Sequence, residues 1–238
     1  MSPNTPQDPA EAAKRRAAQW AAEQVEDGMA VGLGSGSTSA LVIDELGRRV
    51  REGLRIVGIA TSIQSHRQAE SLGIPLTDFA RQPELHLTID GADEVQRGTL
   101  ALIKGHGGAL LREKVVAMAS RRMLVAVDQR KVVDQLGSIF TVPVEIVPFG
   151  WETTQRRLSD QGFASELRTN DDGKPYVTDG QHYILHCKLL KSGLTPEQAA
   201  DAFKRTTGVV EHGLFLGIAS KVVIGSADRL DFLERTQQ

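Results

Sequence analysis

Three short runs in this chain put glycines next to groups that can bind anions or move protons. The first is Gly32-Leu33-Gly34-Ser35-Gly36-Ser37-Thr38. Glycines let a backbone approach a ligand closely, and the free N–H groups of a following helix, aided by its dipole, attract an anion such as a phosphate. The same run also reads as a tight turn in which Ser37 or Thr38 caps a helix. The second run is Asp90-Gly91-Ala92-Asp93-Glu94. Its paired carboxylates are natural acceptors for sugar hydroxyls, although either Asp90 or Asp93 could instead cap a helix, and Glu94 reads as solvated. The third run, from Lys104 through Gly105-His106-Gly107-Gly108 to Arg112-Glu113-Lys114, places a cation before a glycine turn and a carboxylate about one turn into a helix. Alone, residues 112–114 would be a solvated helix face. Beside two other ligand-type loops, Glu113 becomes a candidate proton carrier.

The elements that must position these runs alternate. Asp8, Pro9 and Glu11 mark a helix start, a cap with a proline in the first turn and a returning carboxylate, and the helix runs through an Ala-rich stretch to about Glu26. Met29 to Leu33, Arg55 to Ala60, Leu85 to Ile89 and Met123 to Val127 are buried-strand candidates. Helices are expected up to Arg51, from Ile63 to Leu72, and from Ala109 to about Ser120. This alternation predicts a parallel sheet with helices on both faces. Near residue 138 the pattern changes. Strands are expected at Phe140 to Val147, Ala164 to Thr169, Pro175 to Thr178 and Tyr183 to Leu189, with helices at Trp151 to Asp160 and from Thr195-Pro196-Glu197 to Arg205. That mixture predicts a small antiparallel α+β unit. Val209 to Leu216 and Lys221 to Gly225 are strand-like and are expected to return to the first sheet.

Several function classes lose ground on composition and motif. The net charge of -2 and the 5% aromatic content supply neither a basic patch nor a base-stacking surface, so no nucleic-acid or anionic-membrane partner is expected. No stretch approaches the ~20 apolar residues of a membrane span, and residues 1–9 lack the charged and apolar regions of a secretory signal. The single cysteine, Cys187, precludes an internal disulfide framework and fits a reducing, cytoplasmic setting. A dinucleotide fingerprint would need a third glycine where Ser37 or Ser39 stands, and an acid ending the second strand, which here ends Ala60-Thr61-Ser62. An ATP-type P-loop needs a lysine before the Ser/Thr, and the run has none. A small phosphorylated metabolite fits better than a nucleotide.

The three runs, in this order and approximate spacing, resemble the signatures of type A ribose-5-phosphate isomerases. Further similarity lies at Thr61-Ser62, Asp128 to Lys131, Pro143-Val144-Glu145, Val177-Thr178-Asp179, Gly208-Val209-Val210 and Gly213-Leu214-Phe215. The resemblance spans nearly the whole chain. It implies an α/β fold, a Rossmann-like parallel-sheet domain (1–137 plus 209–238) with an inserted small α+β, ferredoxin-like domain (138–208) used for oligomerisation. It also implies a cofactor-free and metal-free aldose–ketose isomerase of the non-oxidative pentose phosphate pathway, acting on a small sugar phosphate as a homodimer or homotetramer. Carried over position by position, Glu113 matches the catalytic glutamate, and Asp90, Asp93 and Lys104 match groups around the sugar carbons and hydroxyls; Lys104 and Asp90 are expected to be catalytic too, Lys104 stabilising the oxyanion and Asp90 relaying protons between the sugar oxygens. Ser35, Gly36, Ser37, Thr38, Gly91, Ala92, Gly105, His106 and Gly107 match substrate-loop positions, with Lys14 and Lys131 near the phosphate.

The chain departs from the family pattern in places. Ser35 stands where threonine is common, and His106 where glycine is usual, a strained position if its φ is positive. His182 and His186 replace an asparagine and an aspartate. Rival readings are a non-catalytic sugar-phosphate sensor, an amino-sugar phosphate isomerase and an acyl-CoA transferase. The sensor would need an appended DNA-binding module, for which the N-terminal helix offers no basic face.

Overall fold

The computed structural model describes residues 9–226 and 228–234; the Asp8 cap lies outside them. In chain order the first elements are α1 (Pro9–Glu23), β1 (Ala30–Leu33), α2 (Ser37–Arg51), β2 (Val57–Ala60), α3 (Ile63–Ser71) and β3 (Leu87–Asp90). They are followed by β4 (Glu94–Gln96), β5 (Leu102–Ile103), α4 (Leu110–Met118), β6 (Met123–Asp128) and β7 (Val132–Val133). Next come β8 (Val142–Ile146), α5 (Trp151–Asp160), β9 (Ser165–Leu167), β10 (Tyr183–Cys187), α6 (Leu189–Ser192) and α7 (Pro196–Arg205). The chain closes with β11 (Val209–His212), β12 (Leu214–Phe215), β13 (Lys221–Gly225) and β14 (Leu230–Glu234).

The largest sheet has the order β14-β13-β6-β3-β1-β2, parallel except for the edge strand β14. β1, β3 and β6 are buried along their whole length, as strands covered on both faces must be, and apart from Thr88 and the terminal Asp90 and Asp128 their residues are apolar or glycine. From β1 the chain moves outward to β2 on one side and then crosses to β3 on the other. The crevice beyond the carboxyl ends of β1 and β3 is therefore a topological switch point, where such sheets bind ligands. Leu33 pairs with Ile89, so the first two runs leave the sheet side by side. On one face α1 lays a stripe of buried alanines, Ala13, Ala17, Ala18, Ala21 and Ala22, close to the sheet. The small side chains bring the helix near enough for Lys14 to reach the loop after β1.

The second unit is β8-α5-β9-β10-α7-β11, with sheet order β11-β8-β10-β9, all antiparallel. This is the ferredoxin-like arrangement. Its core includes Val144, Ile146, Leu158, Leu185, Cys187 and a tilted pair of rings, Phe163 and Phe203, 4.4 Å apart. α7 starts as its sequence predicts: the Thr195 hydroxyl accepts from Gln198 N and the Gln198 side chain accepts from Thr195 N. Two strand expectations change here. Pro175 to Thr178 is not a strand and pairs through a bridge from Pro175 to Thr169; beyond it the Thr178 hydroxyl donates to Glu145 Oε1 at 2.8 Å and the Asp179 carboxylate accepts from Ile63 N at the start of α3. Val209 to Leu216 splits at Gly213: β11 joins the antiparallel sheet, and only β13 and β14 return to the large one.

A third, small sheet, β12-β5-β4-β7, has no counterpart in the sequence reading. Its strands are two or three residues long, below what periodicity resolves. It nevertheless decides the site, because the β4–β5 hairpin places Asp93 against Ile103 and Lys104 (Asp93 N to Ile103 O, 2.8 Å). Glu94, read as solvated, is fully buried at the start of β4. Its carboxylate accepts the N–H groups of Gly137, Ile139 and Phe140, each at 2.6 Å. A buried carboxylate is tolerated where several directed donors replace water, and here it orders the loop entering the antiparallel unit.

Glu94→Ala should therefore lower unfolding free energy by about 3 kcal/mol, read from urea denaturation. A loss below ~0.5 kcal/mol, the size of an ordinary surface change, would show that something else holds residues 137–140.

Candidate active site

The three runs meet around one cavity of about 200 Å³. Ser35, Gly36, Ser37 and Thr38 line it from the β1–α2 loop, Gly91, Ala92 and Asp93 from the β3–β4 loop, and Lys104, Gly105, Gly107 and Glu113 from the β5–α4 segment. Lys14 of α1 and Lys131 complete the wall, together with Val127, Asp128 and Arg130, which the sequence reading did not assign to the site. Val127 and Asp128 end β6 and Arg130 follows it, a parallel strand ending at the same edge, so the rule that singled out Asp90 would have found them. Two assigned residues, Asp90 and His106, do not line the cavity. Both sit behind the wall and hold it.

Asp90 is 1% exposed. Its Oδ1 accepts from Ser35 N at 3.1 Å, Ser39 Oγ at 2.9 Å and Gly91 N at 2.8 Å. The capping alternative fails, since these bonds tie two loops together. A Cβ on Gly34 would fall 2.2 Å from the same oxygen, so only glycine lets the β1 exit pass this carboxylate. α2 begins with Gly36 as its N-cap and no side-chain cap. The Ser37 and Thr38 N–H groups thus remain aimed at the cavity side of a fifteen-residue helix, where an anion is favoured. The Lys14 ammonium donates to Ser37 Oγ at 3.1 Å. Opposite, Asp128 caps the turn Gln129–Lys131 and pairs bidentately with Arg130 at 2.9 and 3.1 Å. Partial burial opposes ionisation of Asp128, but the Arg130 bonds outweigh it and hold the carboxyl below its ordinary value. The Lys131 ammonium lies 4.5 Å from the Phe140 ring centre. One end of the cavity is thus cationic, with helix N–H groups and hydroxyls.

The other end is a buried charge cluster. The Lys104 ammonium, 2% exposed, donates to the Gly91 carbonyl at 2.6 Å and lies 3.0 Å from Asp90 Oδ2 and 3.4 Å from Glu113 Oε1. Burial alone would strip its proton, yet the two carboxylates outweigh burial and raise its pKa. Glu113 stands in the first turn of α4 and is 5% exposed. Burial raises its carboxyl well above the usual carboxylate range, with Lys104 pulling down and Asp90 and Asp93 pushing up. Glu113 Oε2 has no hydrogen-bond partner within the described residues. A carboxylate with a raised pKa, a bare oxygen and an ammonium beside it can take a proton from a weak carbon acid and give it back. Behind α4, Lys114 donates to Glu211 Oε1 at 2.9 Å and the His212 carbonyl at 2.6 Å, and Lys204 reaches Glu211 Oε2 at 2.6 Å. This cluster bolts the helix carrying Glu113 to the antiparallel unit.

In the glycine turn, Gly105 and Gly108 take left-handed φ of 107° and 92°, whereas His106 does not, so histidine is unstrained there. The His106 N–H goes to Asp93 Oδ2 at 3.0 Å and that of Gly108 to Gly105 O at 2.9 Å, leaving those of Gly105 and Gly107 as cavity-side donors. His182 and His186 do not form a pair: His182 meets the buried Glu145 at 3.0 Å and His186 meets Thr141 Oγ1 at 3.1 Å. Among the described residues no cluster has the make-up of a metal site.

A family model described as ribose 5-phosphate isomerase A (phosphoriboisomerase A) matches residues 57–229. A relative from Gloeobacter violaceus named ribose-5-phosphate isomerase A is 51% identical over 220 residues, 92% of this chain and 95% of the relative. Among solved structures, ribose 5-phosphate isomerase A from Methanocaldococcus jannaschii superposes with a TM-score of 0.90 at 36% identity, covering 94% of this chain and 99% of that one. A D-ribose-5-phosphate isomerase in complex with phospho-erythronic acid superposes with a TM-score of 0.90 at 35% identity, over 95% and 99% of the two chains.

Replacing Lys104 with methionine leaves Asp90 and Glu113 facing each other without a cation. Burial already raises the Glu113 carboxyl, and loss of the Lys104 ammonium that pulls it down raises it further, so the variant's deficit is small where Glu113 is protonated and grows as pH rises and it must ionise. Unfolding free energies measured across that range check this; a deficit independent of pH contradicts the shared-cation geometry.

Proposed function

The chain belongs to the ribose 5-phosphate isomerase A family and interconverts D-ribose 5-phosphate and D-ribulose 5-phosphate; we propose that Glu113 is the base that moves the carbon proton. The observation that carries this is the bare Oε2 of a buried, cavity-lining carboxylate 3.4 Å from a buried ammonium at its other oxygen. In the open-chain aldose, Glu113 removes the proton on C2, leaving an enediolate, and returns it to C1, while the hydroxyl proton passes from O2 to O1. Lys104 and the Gly105 and Gly107 N–H groups stabilise the developing oxyanion, a contribution of about 3–4 kcal/mol per lost donor in comparable sites. Asp93, on the wall, accepts sugar hydroxyls. Asp90, whose Oδ1 already has three donors and which lies behind the wall, positions Lys104 and the two loops instead of relaying protons directly.

The phosphate sits at the cationic end, on the α2 N-terminus with Ser37, Thr38, Lys14 and Lys131. Fixed there, it orients C1 and C2 at the far end of the cavity toward Glu113, so binding energy is spent on alignment. The phospho-erythronic acid held by the related structure is a sugar-acid phosphate of similar shape, which supports a phosphate at one end and an oxyanion at the other.

The wider assignment includes a place in the non-oxidative pentose phosphate pathway, a cytoplasmic location and a homodimer or homotetramer. The buried free thiol of Cys187 supports a reducing compartment, and among the described residues no helix is long and apolar enough to cross a membrane. Exposed Phe149 and Leu190 on the antiparallel unit support its use in oligomerisation, which a monomer mass in sedimentation would rule out.

Glu113→Gln should fold normally and convert ribose 5-phosphate at under about 1% of the wild-type rate, the loss of an acid–base group typically costing ~10²–10⁴-fold. A variant with near wild-type kcat removes Glu113 from the role. Lys131→Ala should raise KM roughly tenfold with little change in kcat; an unchanged KM counts against a phosphate contact there.

A further inference from the structure

The loop that carries the oxyanion donors is held from outside the large-sheet unit: Tyr176 Oη donates to the Gly107 carbonyl at 3.4 Å, and the other hydrogen bonds and ring contacts from that side are made by His106. His106 lies outside the cavity, but its backbone N–H is bound to Asp93 Oδ2 at 3.0 Å, and Asp93 is on the cavity wall. Its carbonyl accepts from Arg168 Nη1 at 2.7 Å. Its ring Nε2 is 2.9 Å from the Thr141 carbonyl, and since a carbonyl only accepts, Nε2 carries the hydrogen. The ring is packed between Phe140, edge-on at 4.9 Å, and His186, at 4.7 Å. Thr141 closes the circle, its hydroxyl lying 3.1 Å from His186 Nδ1.

Every one of these outer contacts comes from the antiparallel unit or the loop entering it. Thr141 and Phe140 precede β8, Arg168 follows β9 and His186 is on β10. The entering loop is itself held by the buried Glu94. The flanking glycines give the turn at 105–108 wide conformational freedom, and nothing in the turn's own sequence restricts it except His106.

On this basis, and resting on the isomerase reading above, we propose that His106 is a positioning residue for the isomerisation. It fixes the Asp93 carboxylate and the Gly105 and Gly107 N–H groups in one arrangement by anchoring the glycine turn to Thr141, Phe140 and His186. It touches no reacting atom. Its effect is on alignment, where displacements of about 1 Å can cost ~10²-fold in rate, so the chemical step feels its loss more than phosphate binding does.

The test is steady-state kinetics with ribose 5-phosphate on wild type, His106→Ala, His106→Gln, His186→Ala and the double variant His106→Ala/His186→Ala, with melting temperatures alongside. His106→Ala is expected to lose roughly 10–100-fold in kcat with KM changed less than about threefold. In His106→Gln the side-chain amide can still donate to Thr141 O, and part of the loss should be recovered. His186 acts through the His106 ring, so His186→Ala should lower kcat in the same direction and the double variant should be no slower than His106→Ala. A wild-type kcat in His106→Ala, a loss confined to melting temperature, or strictly additive losses in the double variant would each overturn the proposal. If His106→Ala does not fold, His186→Ala alone decides, an unchanged kcat overturning the proposal. An inactive wild-type protein would instead overturn the isomerase reading.

Discussion

A single ammonium in a dry place organises this structure. Lys104 is almost wholly removed from water, and it stays charged only because Asp90, Glu113 and the Gly91 carbonyl surround it. Each of those partners arrives from a different direction. Asp90 ends the central strand β3, Gly91 opens the loop beyond it, and Glu113 comes up on α4. Burying a charge without partners is prohibitive, so the cluster forms as a set or not at all. That requirement makes the meeting of the β3 exit with the β5–α4 segment a condition of stability. Burial in the same dry place raises the Glu113 carboxyl to about 8, against the downward pull of Lys104.

The two ends of the cavity use different physics for compatible purposes. At the cationic end stand helix N–H groups, hydroxyls, and the lysines at 14 and 131. Lys14 reaches the site because the alanine stripe of α1 permits close packing on the sheet. At the sugar end the groups are fixed, buried and few. Groups fixed in this way have little freedom to rearrange, which is the condition for preorganised stabilisation of an oxyanion.

The antiparallel unit contributes to the site without lining it. Two independent connections cross to the catalytic segment: the Lys114–Glu211–Lys204 cluster behind α4, and the contacts of His106 in front of it. Burial lowers the Lys114 ammonium to about 8 against the opposing pull of Glu211. Between the two connections, Phe215 places its ring 4.9 Å from the Lys114 ammonium and 5.6 Å from that of Lys104. The helix bearing Glu113 is therefore wedged from both sides.

Much of this was legible in the residues. The largely apolar runs at 30–33, 87–89 and 123–127 specify strands buried on both faces, and the Thr195-Pro196 start of α7 names its own cap, because these signals are local. The types in the three glycine runs announced anion binding and proton transfer, and the cavity contains all three. Other features depend on partners far along the chain and carry no local mark. Glu94 reads as a surface acid until Gly137, Ile139 and Phe140 are brought to it. Asp90 and His106 belong to ligand-type motifs, yet both bond to wall residues: Asp90 to Ser35, Gly91 and Lys104, and His106 to Asp93. Strands of two or three residues, such as β5 and β12, are too short for periodicity to mark. The sequence by itself determined which segments fold as strands and helices and which chemical groups are present, since backbone propensity and side-chain identity are properties of neighbours. Only the tertiary structure decided which of those groups are dry, and hence which are charged, which are bare and which are spent as supports, because desolvation is set by what packs against a residue and not by what precedes it.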